Sequence, residues 1–384
     1  MTQPFGPDYG FGLYIHWPYC AKICPYCDFN VYAAKDRDPA PLVAAICADI
    51  AAHKDVIPAH PRLQTVFFGG GTPSLLTGGQ MEEILAVADQ MFGVSADAEI
   101  TLEANPNDIL KRDVEGWKTA GINRLSVGVQ SLDDAALSFL GRDHGAQSAR
   151  QAVAKVADLF ENFSIDMIYA RPGQGLREWK SELTAALELG APHLSLYELT
   201  IEERTAFGHR AARGELKPMP GDDQADLHEL TQDITRSRGF HSYEISNHAT
   251  AEAFESRHNH IYWASGDWIG VGPGAHGRLT VSGARAATVT HRKPSDYVSA
   301  NGDNHWQSQD MLEALPSARE LLSMGLRTSR GVDIARLEAL GHSIPAEALS
   351  EALEQGWVER HDNRIWLTEP GRLLADGVTS RLSP

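Results

Sequence analysis

The chain has 384 residues, a formal net charge of -17 and a hydrophobic fraction of 42%. This length exceeds one average domain, so we expect two. The excess of acidic residues argues against a general affinity for nucleic acid, which depends on clustered Lys and Arg. No apolar stretch reaches the roughly 18 to 20 residues that cross a bilayer, which predicts a soluble protein and leaves peripheral membrane contact open.

The first residues, 1–4, are not followed by a positively charged stretch and an apolar core, the two parts of a secretory signal. We therefore expect a cytoplasmic protein. In that compartment thiols stay reduced, so a disulfide fits the cysteines of this chain poorly.

The first predicted strand, residues 13–16, leads into a loop with three of the four cysteines. Cys20, Cys24 and Cys27 are separated by three and then two residues, so their thiolates can converge on one point, as around an iron-sulfur cluster. A 4Fe-4S cubane has one more iron than this loop has cysteines. By analogy with a catalytic zinc that keeps one position free, the open iron predicts that an outside ligand binds and reacts there.

The cysteine spacing alone leaves a second metal open. A structural zinc needs four protein ligands, and His16 or Asp28 could complete the set. An apolar shell around the loop favours the cluster, because such a shell keeps solvent from a redox centre. Its members are Trp17, Tyr19, Tyr26 and Phe29. Cys47 lies in an apolar helical pattern, which predicts a buried core residue.

Short apolar segments alternate with longer amphipathic segments up to about residue 200. The alternation predicts strands at residues 13–16, 65–68, 99–103, 124–129, 164–168 and 193–197. It predicts helices near residues 40–54, 79–91, 107–119, 132–160 and 176–189. Such repeats give right-handed crossovers and a parallel sheet. Because six units are too few for a closed eight-stranded barrel, we predict an α/β fold with a partial (β/α)6 barrel over residues 1–240.

Glycines and polar side chains follow or interrupt these strands. Gly69–Thr72 follow the second strand, Glu103 ends the third, Gln130 and Arg142 follow the fourth, and Asp166 lies within the fifth. The carboxyl ends of parallel strands form the functional face of such folds. The glycines alone are consistent with a phosphate site, with backbone contacts to an amino-acid moiety, or with a tight turn that binds nothing. As a set, the polar residues predict a ligand with hydroxyl, amine and carboxylate groups, because buried acids must be paired.

A second cluster of informative residues, rich in histidine and aromatic side chains, lies within a predicted linking region, residues 241–305. It contains His258, Asn259, Tyr262 and Trp263. A histidine among aromatic rings suits haem, because imidazole ligates haem iron and rings stack on the porphyrin. Hydrogen bonding in a domain junction is the alternative, and the residues alone leave both open.

Residues 306–384 predict a C-terminal domain of helices and a hairpin, with strands at 357–360 and 364–368. This arrangement is similar to a small winged-helix module. Since the region has no excess of basic residues, we expect it to pack or dock rather than to read DNA.

Together these motifs resemble those of radical S-adenosylmethionine (SAM) proteins, and among them those of the HemN-like branch. The shared motifs are Cys20-x3-Cys24-x2-Cys27, Gly69-Gly-Gly-Thr-Pro-Ser74, Glu103-Ala-Asn-Pro106, Asn123-Arg-Leu-Ser-Val-Gly-Val-Gln-Ser131, Leu140-Gly-Arg-Asp-His144, Asp166-Met-Ile-Tyr169 and His258-Asn-x-x-Tyr-Trp263. The likeness runs through most of the chain and is greatest to the haem chaperones of that branch.

The resemblance implies that the three cysteines hold a 4Fe-4S cluster and that SAM chelates its open iron through amino and carboxylate groups. Electron transfer from the cluster would then cleave SAM to a 5'-deoxyadenosyl radical. The SAM contacts that it implies are Tyr14, Gly70, Gly71, Thr72, Glu103, Gln130, Arg142 and Asp166. The haem contacts that it implies are His258, Asn259, Tyr262 and Trp263.

Two departures separate the chain from the oxygen-independent coproporphyrinogen III oxidases of this branch. Phe29 stands where the oxidases carry a further cysteine, and the segment ahead of the cysteine loop is shorter. The resemblance therefore implies a haem chaperone whose partners are haem or another tetrapyrrole, a haem-acceptor protein and an electron donor. Decarboxylation of coproporphyrinogen III is the alternative, and a zinc-stabilised scaffold without redox chemistry is a third hypothesis. We assign no catalytic residue from the sequence.

Overall fold

The computed structural model describes residues 3–35, 37–57, 59–300 and 305–384. The strands are β1 (Phe11–Trp17), β2 (Tyr19–Cys20), β3 (Tyr32–Ala33), β4 (Leu63–Gly70), β5 (Val94–Ala104), β6 (Arg124–Gln130), β7 (Asn162–Tyr169), β8 (His193–Glu198), β9 (His241–Ser242), β10 (Asn247–Ala249), β11 (Asp267–Val271), β12 (His276–Val281), β13 (Ala284–Thr290), β14 (Trp306–Met311), β15 (Val332–Asp333), β16 (Val358–His361) and β17 (Arg364–Leu367). The helices are α1 (Ala40–Val56), α2 (Gly78–Phe92), α3 (Pro106–Lys111), α4 (Val114–Thr119), α5 (Asp134–Phe139), α6 (Ala146–Leu159), α7 (Leu176–Leu187), α8 (Ala206–Ala212), α9 (Gly221–Ser237), α10 (Arg257–Trp263), α11 (Pro294–Ser299), α12 (Ala314–Leu326), α13 (Ile334–Ala339), α14 (Ala346–Glu354), α15 (Glu369–Leu373) and α16 (Ala375–Leu382).

The main sheet has the strand order β14-β13-β12-β11-β1-β4-β5-β6-β7-β8-β10-β9. Its centre is the series β1, β4, β5, β6, β7 and β8, in which each strand pairs in parallel with the next. Helices connect successive strands of the series, as right-handed crossovers require. Among the described residues the two end strands do not pair with each other. The prediction of an α/β fold with an open, largely parallel sheet is confirmed.

Two helices that the sequence predicts as continuous are each divided. α4 starts anew after α3, because the side chain of Asp113 accepts a hydrogen bond from the Gly116 N–H and caps a new helix. α5 and α6 are separated at Gly141, whose φ of 71° is a left-handed conformation that ends helices.

The region predicted to link two domains adds strands to both ends of the parallel series. β10 pairs with β8 and β9 with β10, while β11 pairs in parallel with β1 and continues into the antiparallel strands β12, β13 and β14. The division of the chain at residues 240 and 305 stays a prediction.

The C-terminal region has a hydrophobic core of its own, which includes Leu322, Leu337 and Ile365. Its small sheet has the order β15-β17-β16, and the pairing of β16 with β17 confirms the predicted hairpin. Ion pairs join this region to the main sheet, for example Arg278 with Glu320 at 2.9 Å. In the described part of the chain, no helix combines the length and apolar character that crossing a membrane requires.

Candidate functional site

Polar and apolar residues alternate along the parallel strands, which gives the sheet two different faces. In β6, Leu125, Val127 and Val129 belong to the hydrophobic core. The residues between them, at 124, 126, 128 and 130, line a cavity of about 720 Å³. A parallel sheet buried by helices on both faces has nearly continuous apolar strands. The polar alternation therefore marks the strand face that lines the cavity.

This cavity brings together most of the site residues predicted from the sequence. Its lining includes Cys20, Cys24, Cys27, Tyr14, Gly70, Gly71, Thr72, Glu103, Gln130, Arg142, Asp166, His258, Asn259 and Tyr262. Trp263 instead lines a second cavity, of about 500 Å³, together with residues of the C-terminal region. The four residues of the predicted haem motif thus do not share one space.

The cysteine loop presents three free thiols to the cavity. Cys20 is buried, whereas Cys24 and Cys27 are partly exposed. The Cys27 N–H donates to the Cys24 carbonyl at 3.2 Å, and the Phe207 N–H donates to the Pro25 carbonyl at 2.9 Å. These bonds hold the middle of the loop while leaving the sulfur atoms without a disulfide partner.

The surroundings of the thiols fit a metal centre with sulfur ligands. Burial raises the pKa of the Cys20 thiol, and it raises the pKa of Cys27 to about 11, so both are protonated at neutral pH without a metal. Nη1 of Arg142 donates to Cys24 Sγ at 3.3 Å, so a positive charge lies beside this sulfur atom. Since metal-bound cysteine is a thiolate, binding iron would release protons from this loop. Three soft sulfur donors suit an iron-sulfur cluster.

The residues considered as a fourth zinc ligand differ in availability. His16 has both ring nitrogens engaged, Nδ1 with the Tyr14 hydroxyl at 2.9 Å and Nε2 with the Asn30 carbonyl at 3.0 Å. Asp28 lines the cavity. Within the described ranges, no three His, Cys, Asp or Glu side chains come close enough to surround a single ion. His16 would have to give up a hydrogen bond to bind zinc.

Two glycines, the last residue of β4 and the one that follows it, let the backbone pass close to β1 and the cysteine loop. Gly70 has a φ of 104°, and a Cβ there would lie 2.6 Å from the His16 ring. At Gly71 a Cβ would lie 2.8 Å from the Trp17 carbonyl oxygen and 3.0 Å from Cys20 Sγ. Close backbone approach therefore requires glycine at both positions.

The N–H groups of this glycine loop are already used within the protein. The Gly70 N–H donates to Glu103 Oε2 at 3.1 Å, and the Gly71 N–H donates to the Trp17 carbonyl at 2.7 Å. The Thr72 N–H is also bonded, to a carbonyl of β2 at 2.9 Å. The loop thus lacks free N–H groups for a phosphate cradle at Gly70, Gly71 and Thr72.

Glu103 and Asp166 are acids on neighbouring parts of the cavity wall. Burial, and after it the charge of Asp166, raises the pKa of Glu103 to about 8. Burial also raises the pKa of Asp166, although the hydroxyls of Ser126 and Ser164 donate to its two oxygens at 2.7 and 2.9 Å. Glu103 is therefore mostly protonated at neutral pH, and Asp166 is held in one orientation.

Gln130 and Arg142 lie at the rim of the cavity, by which we mean the cysteine loop and the cavity residues at or after the carboxyl ends of the parallel strands. Gln130 has a φ of 63° at a register shift between β6 and β7, a backbone conformation that costs a non-glycine residue about 1 kcal/mol or more. Nη2 of Arg142 donates to Asn105 Oδ1 and to the Gly128 carbonyl. Asn105 in turn donates to Thr72 Oγ1 at 3.4 Å, so it joins the arginine to the glycine loop. Asn105 was not predicted as a site residue, although it lies in the Glu103-Ala-Asn-Pro106 motif.

α10, which carries the predicted haem motif, packs against the first halves of β1, β4 and β5. His258 Nδ1 is hydrogen-bonded to Thr65 Oγ1 at 2.6 Å and its Nε2 to the Tyr262 hydroxyl at 2.6 Å. Its ring stacks on Phe67 with centroids 5.1 Å apart. Burial lowers the pKa of His258 to about 3, so the ring is neutral. To ligate iron, His258 must release Thr65 or Tyr262.

Further cavity residues were not predicted as site residues. They are Arg124, His193, Ser195 and Asn247, which belong to β6, β8 and β10. For Arg124, His193 and Ser195 the available signal was the polar position at every second residue of β6 and β8, which places these side chains on one face of the sheet.

Comparison with known proteins gives the same family at several levels. Residues 14–184 match the Radical SAM superfamily, and residues 316–374 match the HemN C-terminal domain. The heme chaperone HemW of Escherichia coli is 36% identical, with 95% of this chain and 96% of that protein covered. HemW of Bacillus subtilis is 32% identical, with 95% and 97% covered.

A mitochondrial radical S-adenosyl methionine domain-containing protein 1 from Bos taurus is 37% identical, with 83% of this chain and 74% of that protein covered. Among solved structures, coproporphyrinogen III oxidase (HemN) from Escherichia coli has the same fold, with a TM-score of 0.79 at 20% identity, and 97% of this chain and 90% of that chain covered. The chain therefore belongs to the HemW family, in the HemN-like branch of the radical SAM superfamily.

Proposed function

We propose that this protein is a haem chaperone that binds a 4Fe-4S cluster, SAM and haem and delivers haem to an acceptor protein. The observation that supports this most is the shared cavity, whose lining includes three free thiols, all eight residues assigned to SAM and three of the four assigned to haem. The similarity to HemW proteins, named heme chaperones, over nearly their whole length adds to this support.

In this proposal the cysteine loop holds the cluster. A cluster with one open iron supplies, when bound, an electron and a coordination position beside the cavity. Cys20, Cys24 and Cys27 lose their thiol protons as they take up iron. Arg142, with its N–H directed at Cys24 Sγ, offsets part of the negative charge of the three thiolates.

The residues assigned to SAM bind and orient it. Its cationic amine favours the ionised form of Glu103, so this carboxyl, whose pKa burial raises to about 8, loses its proton on binding. Asp166, fixed by two serine hydroxyls, can accept a further hydrogen bond from a ligand hydroxyl.

Haem binding uses the apolar and aromatic parts of the same cavity. Phe29 is 62% exposed and Ile23 47% exposed, so both offer apolar surface at the cavity wall. Phe29 takes the place of the cysteine that the coproporphyrinogen oxidases carry, which favours the chaperone over the oxidase. His258 is neutral, the protonation state in which imidazole ligates iron.

An anaerobic haem titration of the cluster-loaded protein tests this function. We expect a Soret band that grows to stoichiometric saturation, and transfer of that band to an apo-haem protein added in excess. A protein that takes up no haem would contradict the proposal. Formation of protoporphyrinogen from coproporphyrinogen III, with SAM and reductant present, would favour the oxidase instead.

A further inference from the structure

A buried arginine in the cavity lacks a hydrogen-bond partner at one of its donors. Arg124, the first residue of β6, is 2% exposed and lines the cavity. Within the described residues, no acceptor lies within hydrogen-bonding distance of its Nε. A guanidinium carries five N–H donors, and a buried donor without an acceptor costs free energy. Arg124 Nε therefore lacks an acceptor among the described residues, and a bound ligand could provide one.

The nearby carboxylate, Glu99, balances the charge of Arg124 without satisfying this donor. The distance from Arg124 Nε to Glu99 Oε2 is 3.8 Å, too long for a hydrogen bond. Both oxygens of Glu99 accept backbone N–H groups at the start of α10, from His258 at 3.1 Å and from Arg257 at 3.3 Å. Glu99 is therefore committed to holding α10 in place.

A second unsatisfied group lines the same cavity. Asn247 is 3% exposed, and its Oδ1 has no donor partner in the described part of the chain. Its Nδ2 donates to Glu244 Oε2 at 2.8 Å, which fixes the amide so that Oδ1 is the free end. The cavity thus offers a buried donor and a buried acceptor that lack partners.

Arg124 lies at the opposite end of β6 from Gln130, which lies at the rim of the cavity. Arg124 begins β6 and Gln130 ends it, so the two lie roughly 20 Å apart at about 3.3 Å per residue. In the proposed function, the carboxylate of SAM binds at the cluster, beside the cysteine loop. The floor of the cavity, which we define by Arg124, Asn247 and His258, is left for another ligand.

We propose that Arg124 and Asn247 form an anchoring site for the carboxyl side chains of the tetrapyrrole, with Arg124 binding one ionised carboxylate and Asn247 Oδ1 accepting from the O–H of a second carboxyl group that is held in its protonated form. The assignment of the tetrapyrrole as occupant rests on the proposed function. A carboxylate matches the paired N–H groups of a guanidinium, and such charge-assisted bonds are strong where water is excluded. SAM is the other carboxylate source, and the test separates the two.

The test compares haem with its dimethyl ester, in which both carboxylates are blocked. It uses the cluster-loaded wild type, Glu99→Gln and the double variant Glu99→Gln/Arg124→Gln. The double variant removes the buried ion pair as a whole, so no single charge is left buried. We expect wild type and Glu99→Gln to prefer haem over the ester by about tenfold or more, and the double variant to lose that preference. SAM affinity should be the same in all three.

Cooperative unfolding and equal iron content establish that each variant is folded. Equal preference for haem over the ester in Glu99→Gln and the double variant would overturn the anchoring site while leaving the haem chaperone intact. Loss of SAM affinity instead of haem affinity would also overturn it. A wild type that binds neither haem nor its ester removes the proposed function and this inference together.

Discussion

The rim and the floor of the cavity lie at opposite ends of β6, and their polar groups differ in how they are paired. At the rim, the thiols of the cysteine loop are free, and burial raises the pKa of Glu103 to about 8. At the floor, both ring nitrogens of His258 are hydrogen-bonded, and Glu99 accepts two N–H groups from α10. The rim is thus prepared to take up cofactors, whereas the floor is already paired apart from Arg124 and Asn247.

This difference follows from where each group lies on the strands. Rim residues follow the carboxyl ends of strands, where loops can expose functional groups without breaking the sheet. Floor residues are buried, with Arg124 and Asn247 at the first positions of β6 and β10 and His258 on α10, and an unpaired polar group there is costly. A floor group that is nevertheless unpaired is therefore a stronger sign of a ligand than a free group at the rim.

The largest effect is expected from Cys24→Ala. Loss of one of three cluster ligands should reduce bound iron and sulfide from about four of each per chain to near zero. The fold should persist, because Cys24 is partly exposed and its loop is held by Pro25. Metal analysis after anaerobic reconstitution measures this, with Cys47→Ala as the matched control that keeps its iron. A Cys24→Ala protein with full iron content would be incompatible with the assigned cluster site.

Gly71→Ala should destabilise the rim. The new Cβ would meet the Trp17 carbonyl oxygen at 2.8 Å, and backbone atoms cannot yield as a side chain can. We expect a loss of about 1–3 kcal/mol in the free energy of unfolding, measured by denaturant titration. Gly79→Ala is the control, because a Cβ there meets nothing within 4 Å and alanine favours helix. Equal stability of the two variants would show that the close approach of the Gly71 backbone to Trp17 is not required for stability.

The rim and the floor should give pH slopes of opposite sign. The pKa of Glu103 rises from its ordinary 4.5 to about 8, so the folded state holds the extra proton and stability falls as pH rises through this window. The pKa of His258 falls from 6.5 to about 3, so stability rises with pH between those values. Each slope is limited to about 1.4 kcal/mol per pH unit. Glu103→Gln should remove the fall in stability with pH, and His258→Ala should remove the rise. Unfolding free energies measured from pH 4 upward test this, and slopes unchanged by both variants would contradict it.

His258→Ala should affect haem and spare the cluster. Removing the imidazole is expected to weaken haem binding by about tenfold, the effect of one lost interaction of about 1.4 kcal/mol. Iron content and SAM affinity should stay at wild-type values, since His258 lies at the floor and the cysteines at the rim. His209→Ala, on the exposed surface of α8, is the control. Unchanged haem affinity in His258→Ala would leave the motif with only its hydrogen-bonding role in α10.

The sequence predicted the centre of the fold better than its edges. The predicted strands 124–129, 164–168 and 193–197 lie within β6, β7 and β8, because apolar residues at every second position indicate these segments locally. The pairing of β11 with β1 joins segments some 250 residues apart in the chain, a contact that no local pattern indicates. The β12–β13 hairpin did have a local signal, the turn residues Ser282 and Gly283, which both have positive φ.

The residues of the candidate site were likewise predicted only in part. The rim residues could be predicted because they belong to motifs that follow strands, as Gly71 and Glu103 do. The polar alternation of β6 indicates that Arg124 faces the cavity, but the missing partners of Arg124 Nε and Asn247 Oδ1 could not be predicted, because they depend on distances in the folded structure. Trp263 shows the opposite case, a motif residue that lines a separate cavity behind α10.

Access of SAM to an open iron at the rim is tested most directly by electron paramagnetic resonance. The protein is reconstituted and reduced without oxygen, and spectra are recorded before and after SAM is added. A change in the cluster signal that saturates with SAM is the predicted result, and it should be absent in Glu103→Gln at pH values where wild type binds. A spectrum of the wild-type cluster that SAM leaves unchanged would contradict the assignment of the three cysteines and the rim to one cofactor site.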